Sequence, residues 1–143
     1  MTIRLEIAGH MGRISIQVLS YENPMAENLS DANWLRCEVE VQAPPFSGVF
    51  SASFTTHDFT RFLEELRQIL PRLGGTASFI TDEDALRLAI TLDERSGRAN
   101  VSGIAKGVHT GAALSFRFDS DQSFLAQACR ELEAIVKEFP IKK

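Results

Sequence analysis

Eight short runs in which every second residue is apolar, broken twice by a switch to a spacing of three and four, leave this 143-residue chain few ways to fold. A period of two puts alternate side chains on opposite faces of a strand, and a period near 3.6 makes one stripe of a helix apolar. Ile3, Leu5 and Ile7, then Ile14, Ile16 and Val18 after the turn Gly9-His10-Met11-Gly12, read as a hairpin. Leu35, Cys37, Val39 and Val41 alternate with charged Arg36, Glu38 and Glu40, which gives a third strand with one wet face. Beyond Ala43-Pro44-Pro45-Phe46-Ser47-Gly48, Phe50, Ala52 and Phe54 mark a fourth.

The period then changes. Phe59, Phe62, Leu63, Leu66, Ile69, Leu70 and Leu73 line one side of a helix, opened by a Thr55/Asp58 capping box and stopped at Gly74-Gly75. Its polar side carries Arg61 and Glu65, spaced as a surface ion pair. The scheme recurs with Ala77, Phe79 and Thr81; Leu86, Leu88, Ile90 and Leu92; Ala99, Val101, Gly103 and Ala105; and, after Gly107-Val108-His109-Thr110-Gly111, Leu114, Phe116 and Phe118. A second helix follows through Phe124, Leu125, Ala128, Leu132, Ile135, Val136 and Phe139, capped by Asp119, Ser120 or Asp121 and stopped by Pro140.

The expected class is therefore α+β, about eight antiparallel strands and two amphipathic helices in the order ββββαββββα. Two arrangements satisfy it: one strongly curved sheet wrapping the helices, which is the preferred reading, or two four-stranded sheets each with its helix. Residues 1–143 are expected to form one domain, since halves of about 70 residues would have marginal cores. The repeated order makes an internal duplication, 1–73 and 74–143, one of two explanations; convergence of similar strand-to-helix corners is the other.

Charge narrows the function. Nineteen Asp+Glu against fifteen Lys+Arg give a formal charge of -4, which argues against a nucleic-acid partner and favours a basic one. Charges within Met1-Thr2-Ile3-Arg4-Leu5-Glu6 and the lack of a long uncharged apolar run point to a cytoplasmic protein without a membrane partner. Cys37 and Cys129 follow the apolar patterns and are expected as buried free thiols. His10, His57 and His109 have no metal-ligand spacing, and no phosphate-binding glycine loop or nucleophile elbow occurs, so no metal, no cofactor and no enzyme is expected. Glu38 and Glu40 share a strand face as an acid and a base could, but a solvated sheet face explains them as well. Trp34, on that same side, marks an interface or a second packed layer.

Asp31-Ala32-Asn33-Trp34-Leu35 and the strand after it resemble the D-x-N-W-L signature of WapI-type bacterial immunity proteins and related small bacterial proteins. The likeness extends to Tyr21-Glu22, to Gly48, Phe50 and Phe54 running into the first helix, and to Leu114-Ser115-Phe116. It implies a protein that binds and neutralises the C-terminal toxin of a contact-dependent polymorphic toxin, often a nuclease. Carboxylates would stand where phosphates sit, with Glu22, Glu27, Asp31, Trp34, Glu38 and Glu40 as partner contacts. Asp31 and Asn33 have a structural alternative, capping the long loop and fixing entry into the third strand. The alternative function is a homo-oligomeric scaffold or small-ligand binder, in which the wet strand face meets a second subunit. A monomer and a homodimer both fit.

Overall fold

In the computed structural model, residues 3–107 and 109–143 are described. Met1 and Thr2 of the charged first segment, and Val108 of the turn expected before the eighth strand, lie outside the described residues. The strands are β1 (Ile3–Gly9), β2 (Gly12–Tyr21), β3 (Trp34–Ala43), β4 (Phe46–Thr55), β5 (Gly75–Ile80), β6 (Leu86–Leu92), β7 (Arg98–Lys106) and β8 (Ala113–Asp121). The helices are α1 (Leu29–Ala32), α2 (Thr56–Arg72) and α3 (Gln122–Glu138).

Two antiparallel sheets form, ordered β1-β2-β3-β4 and β5-β6-β7-β8, so the single curved sheet preferred from the sequence gives way to the two-sheet arrangement. The reason is where each helix goes. α2 leaves the first sheet and packs along β5 of the second, while α3 leaves the second sheet and packs along β1 of the first; the two helices also pack on each other. One outer strand of each sheet, β1 and β5, therefore lies against a helix.

The alternation predicts the buried face well. Leu5, Ile7, Ile14, Ile16, Leu35, Cys37, Val39 and Val41 are buried in the first sheet, and Ala77, Phe79, Leu86, Leu88, Ile90, Val101 and Phe118 in the second. Phe54 of β4, Phe59 and Phe62 of α2 and Phe79 of β5 join the sheets through ring centroids 5.1–6.1 Å apart. Each such side chain contributes roughly 1.5–3 kcal/mol before entropy is subtracted.

The Thr55/Asp58 capping box forms, and Asp121 caps α3. The stop of α2 differs from expectation: Leu73 itself takes the left-handed cap conformation at φ 53°, the role usually given to glycine. The expected Arg61–Glu65 pair is replaced as well. Arg61 reaches Asp58 at 3.0 Å and the Ile80 carbonyl at 2.8 Å, and Glu65 accepts the Ser78 backbone N–H of β5 at 3.1 Å. Glu131 of α3 does the same for Glu6 of β1, at 2.9 Å. Each helix thus presents a carboxylate to an outer strand whose free N–H groups would otherwise template pairing with another chain.

The sheets touch where the β1–β2 hairpin meets β8. His10 donates its N–H to the Asp119 carbonyl at 2.7 Å, and Ser120 Oγ donates to the Ala8 carbonyl at 2.6 Å. A Cβ on Gly9 would run into that Asp119 oxygen, and one on Gly12 would lie 2.8 Å from the Phe118 ring. Only glycine permits the approach.

Candidate functional site

The structure divides the six candidate residues into two groups. Glu22, Glu27 and Asp31 belong to the connection between β2 and β3, and Trp34, Glu38 and Glu40 to β3 itself.

The connection is built around Asn33, which is 3 % exposed. Its Oδ1 accepts from the Lys142 N–H at 2.7 Å and from Thr56 Oγ1 at 3.2 Å. Its Nδ2 donates to the Leu29 and Lys142 carbonyls, both at 3.2 Å. Every hydrogen-bonding position of the amide is used, so Asn33 locks α1, the start of α2 and the chain's last residues together. Asp31 is exposed and bonds only locally, its N–H donating to Asn28 Oδ1 at 2.9 Å and its carboxylate accepting from Asn28 Nδ2 at 3.0 Å. Within the motif, Asn33 is structural and the Asp31 side chain faces solvent while helping to cap α1.

The loop itself is acidic and partly apolar, with Lys142 beside it, its Nζ 3.9 Å from the Tyr21 ring. No Lys or Arg occurs between Arg13 and Arg36. Glu22 and Asp31 line a depression of about 460 Å³ with Asn23, Pro24, Met25 and Ala26. Met25 is 90 % exposed, Leu29 is exposed too, and Glu27 stands in the same loop. Glu22 is fixed from two sides: its N–H donates to the Trp34 carbonyl at 2.9 Å and its carboxylate accepts from Ser53 Oγ. Sequence reasoning misses Met25 and Leu29 because a loop has no period against which an apolar residue looks misplaced.

The strand face is different. Trp34 is half-buried opposite Thr55, and Glu38, between Gln17 and Ser51, is exposed. Glu40 accepts from Arg13 at 3.0 Å and from Gln42 at 3.0 Å, while Arg13 also lies 3.8 Å from Glu6 and Arg4 4.0 Å from Glu6. The carboxylates on this face alternate with Arg4, Arg13 and Arg36. It is mixed in sign, and the concentrated negative charge sits in the loop.

Neither cysteine offers reactivity: both are buried and free, and burial pushes the Cys37 thiol up from 9.0 to about 12. His10 packs edge-on against Phe124 with centroids 6.1 Å apart, while His57 and His109 are exposed. Among the described residues no group of three His, Cys, Asp or Glu is placed to hold a metal ion, and no helix is long and apolar enough to cross a membrane.

Two solved structures share this architecture. One, titled as crystal structures of MRP1/MRP2 of Trypanosoma bruciei, aligns with a TM-score of 0.51 at 8 % identity over 97 % of this chain and 86 % of that one. The other, titled as a guide-RNA-binding protein complex bound to a guide RNA, aligns at 0.52 and 9 % identity over 95 % and 89 %. At such identities the likeness shows the fold alone. No curated protein sequence matches the chain. The model of the immunity protein WapI-like family matches residues 4–140.

Proposed function

The chain belongs to the WapI-like immunity protein family, and from that premise we propose that it neutralises a cognate polymorphic toxin, a nuclease among the candidates, by binding the toxin polypeptide and blocking it. The observation that carries this reading is the family match across nearly the whole chain, 4–140. The geometry supports binding rather than turnover: the carboxylates are exposed, locally bonded or ion-paired, and none is enclosed with a partner that would set an acid apart from a base.

The docking patch we infer is centred on the Glu22–Asn33 loop. Glu22, Glu27 and Asp31 supply charge that steers a basic toxin surface, and exposed Met25 and Leu29 supply apolar contact that slows release. Glu38 and Trp34 extend the patch onto β3, and Glu40 joins it through its pair with Arg13. The interleaved arginines make the strand face a register-setting surface rather than a phosphate mimic.

The test is capture on the immobilised full chain from its source organism, with mass spectrometry, repeated at raised salt. Recovery of a polymorphic toxin fragment that is lost as salt rises is the expected result, because exposed charge pairs are screened. Recovery of the chain alone would refute immunity by toxin binding and favour a homo-oligomeric scaffold.

A further inference from the structure

The third strands of the two sheets differ in what they turn outward. β3 presents Arg36, Glu38 and Glu40, whereas β7 presents Asn100, Ser102 and Ile104. The pairing of β6, β7 and β8 sets two rows side by side, Arg87, Ile104 and Ser115 in one and Ala89, Ser102 and Arg117 in the other. All six side chains share the outer face, because their strand neighbours Leu88 and Phe116 are buried on the opposite one.

Short side chains in the middle and long ones at two opposite corners make a dish. Its volume is about 450 Å³, its floor is mostly apolar, and those six residues line it. The floor is backed by packed core, since a Cβ on Gly103 would come within 2.5 Å of the Phe116 ring beneath it.

Both charged residues of the dish are cations, in a chain whose formal charge is -4. Arg87 gives an N–H to Asp84 at 3.2 Å, and Asp84, outside the dish, also accepts from Lys106 at 2.7 Å. Among the described residues Arg117 makes no ion pair. The hydroxyls of Ser102 and Ser115 have no hydrogen-bond partner in the protein, unlike that of Ser120 on the buried side of β8, which donates to the Ala8 carbonyl. The next outward residue of β8, Asp119, is an acid, but it stands opposite Asn100 and does not line the dish.

We propose that this dish binds a small organic anion, its carboxylate or phosphate head held by Arg117, Ser102 and Ser115 and its flat apolar body lying over Ala89 and Ile104 toward Arg87. A guanidinium pairs an oxyanion through two parallel N–H bonds, and the hydroxyls supply further donors. An apolar floor with a few convergent polar groups is the usual make-up of a small-molecule site, and the volume lies in the usual range. Arg87 and Arg117 are two strands apart, about 10 Å, and a guanidinium plane stacks on a ring. The site belongs to the second sheet and does not depend on the toxin reading.

The test titrates the full chain with phenyl phosphate, benzoate and, as the uncharged match, benzyl alcohol, following backbone amides by NMR. Phenyl phosphate or benzoate is expected to give saturable shifts at Ser102, Gly103, Ile104, Ser115 and Arg117, and benzyl alcohol none; whichever acid binds tighter names the head. Arg117→Gln is expected to weaken binding about tenfold. Ser102→Leu, which fills the floor, is expected to abolish it, and both should leave thermal unfolding nearly unchanged. If Ser102→Leu does not fold, Arg117→Gln decides. No saturable shift with either acid overturns the proposal, as does undiminished binding in Arg117→Gln or equal binding of benzyl alcohol. A thymidine oligonucleotide is titrated beside them. Shifts that spread over the outer faces of all four strands β5–β8, at an affinity phenyl phosphate does not approach, would give the face to a nucleic acid and overturn the small-ligand site.

Discussion

The two halves of the chain follow one plan, four strands and a long helix, and differ in their connections, most of all in the one before the third strand. Between β2 and β3 the first half inserts 12 residues, with α1 and the D-x-N-W-L start; between β6 and β7 the second half has the five residues 93–97. The last strands also differ in what meets their ends, Asp119 of β8 accepting from His10 of the opposite hairpin and Thr55 of β4 donating its N–H to Asp58 of α2. The common plan supplies the core, and the acidic surface chemistry gathers where the first half departs from it. Glu22, Glu27, Asp31 and Met25 all lie there.

The largest expected effect tests whether the halves share one core. Leu66 of α2 and Leu132 of α3 are both fully buried, so Leu66→Ala and Leu132→Ala should each cost about 2–5 kcal/mol by leaving a cavity. Denaturant unfolding should stay a single transition in both variants. A loss below about 1 kcal/mol in only one would divide the molecule.

Next comes the insertion. Asn33→Ala removes bonds to three segments and should cost about 1–3 kcal/mol by leaving buried partners unsatisfied, whereas exposed Asp31→Ala should stay within about 0.5 kcal/mol. Equal effects would dissolve the distinction between the two residues of the motif. Asp31→Ala should instead register in toxin affinity.

The third effect is one of slope. Cys37 keeps its proton in the folded chain up to a pH of about 12, against 9.0 for an ordinary thiol. Below that lower value both states hold the proton and the group contributes no pH dependence. Above it the unfolded chain loses a proton that the folded chain keeps, so stability falls as pH rises, by about 1.4 kcal/mol per unit. Cys37→Ala should flatten this alkaline limb in chemical denaturation; an unchanged slope would clear the thiol as its source.

The smallest effect on stability is expected from Glu38→Lys combined with Glu40→Lys. Loss of the exposed Arg13 pair should cost at most about 1 kcal/mol, while toxin affinity falls. Unaltered affinity would confine the interface to the loop.

These contrasts follow the line between what a sequence can and cannot display. Strands and long helices carry their own periods, and the Thr55/Asp58 box is visible because capping is local. The separation into two sheets is not, because it depends on α3 crossing back to β1 and on His10 meeting Asp119, contacts more than a hundred residues apart. α1, four residues long, is too short to show a period. The candidate carboxylates are legible as charge, but whether each one stands beside arginine, as Glu40 does beside Arg13, depends on strand pairing. Glu65 looks like a solvent-facing helix residue because its role is to cap an edge that exists only once β5 is in place.

Asn33 holds Lys142 at its side chain across 109 residues. Loop closure over such a distance is slow compared with forming a hairpin or a helix turn. During synthesis the sheets and α2 therefore have their local partners early, while Asn33 keeps only its bonds to Leu29 and Thr56 until Lys142 is made. The surface inferred to meet the toxin is in this sense set late, and a nascent chain that has not reached Lys142 has a first sheet without a finished binding loop.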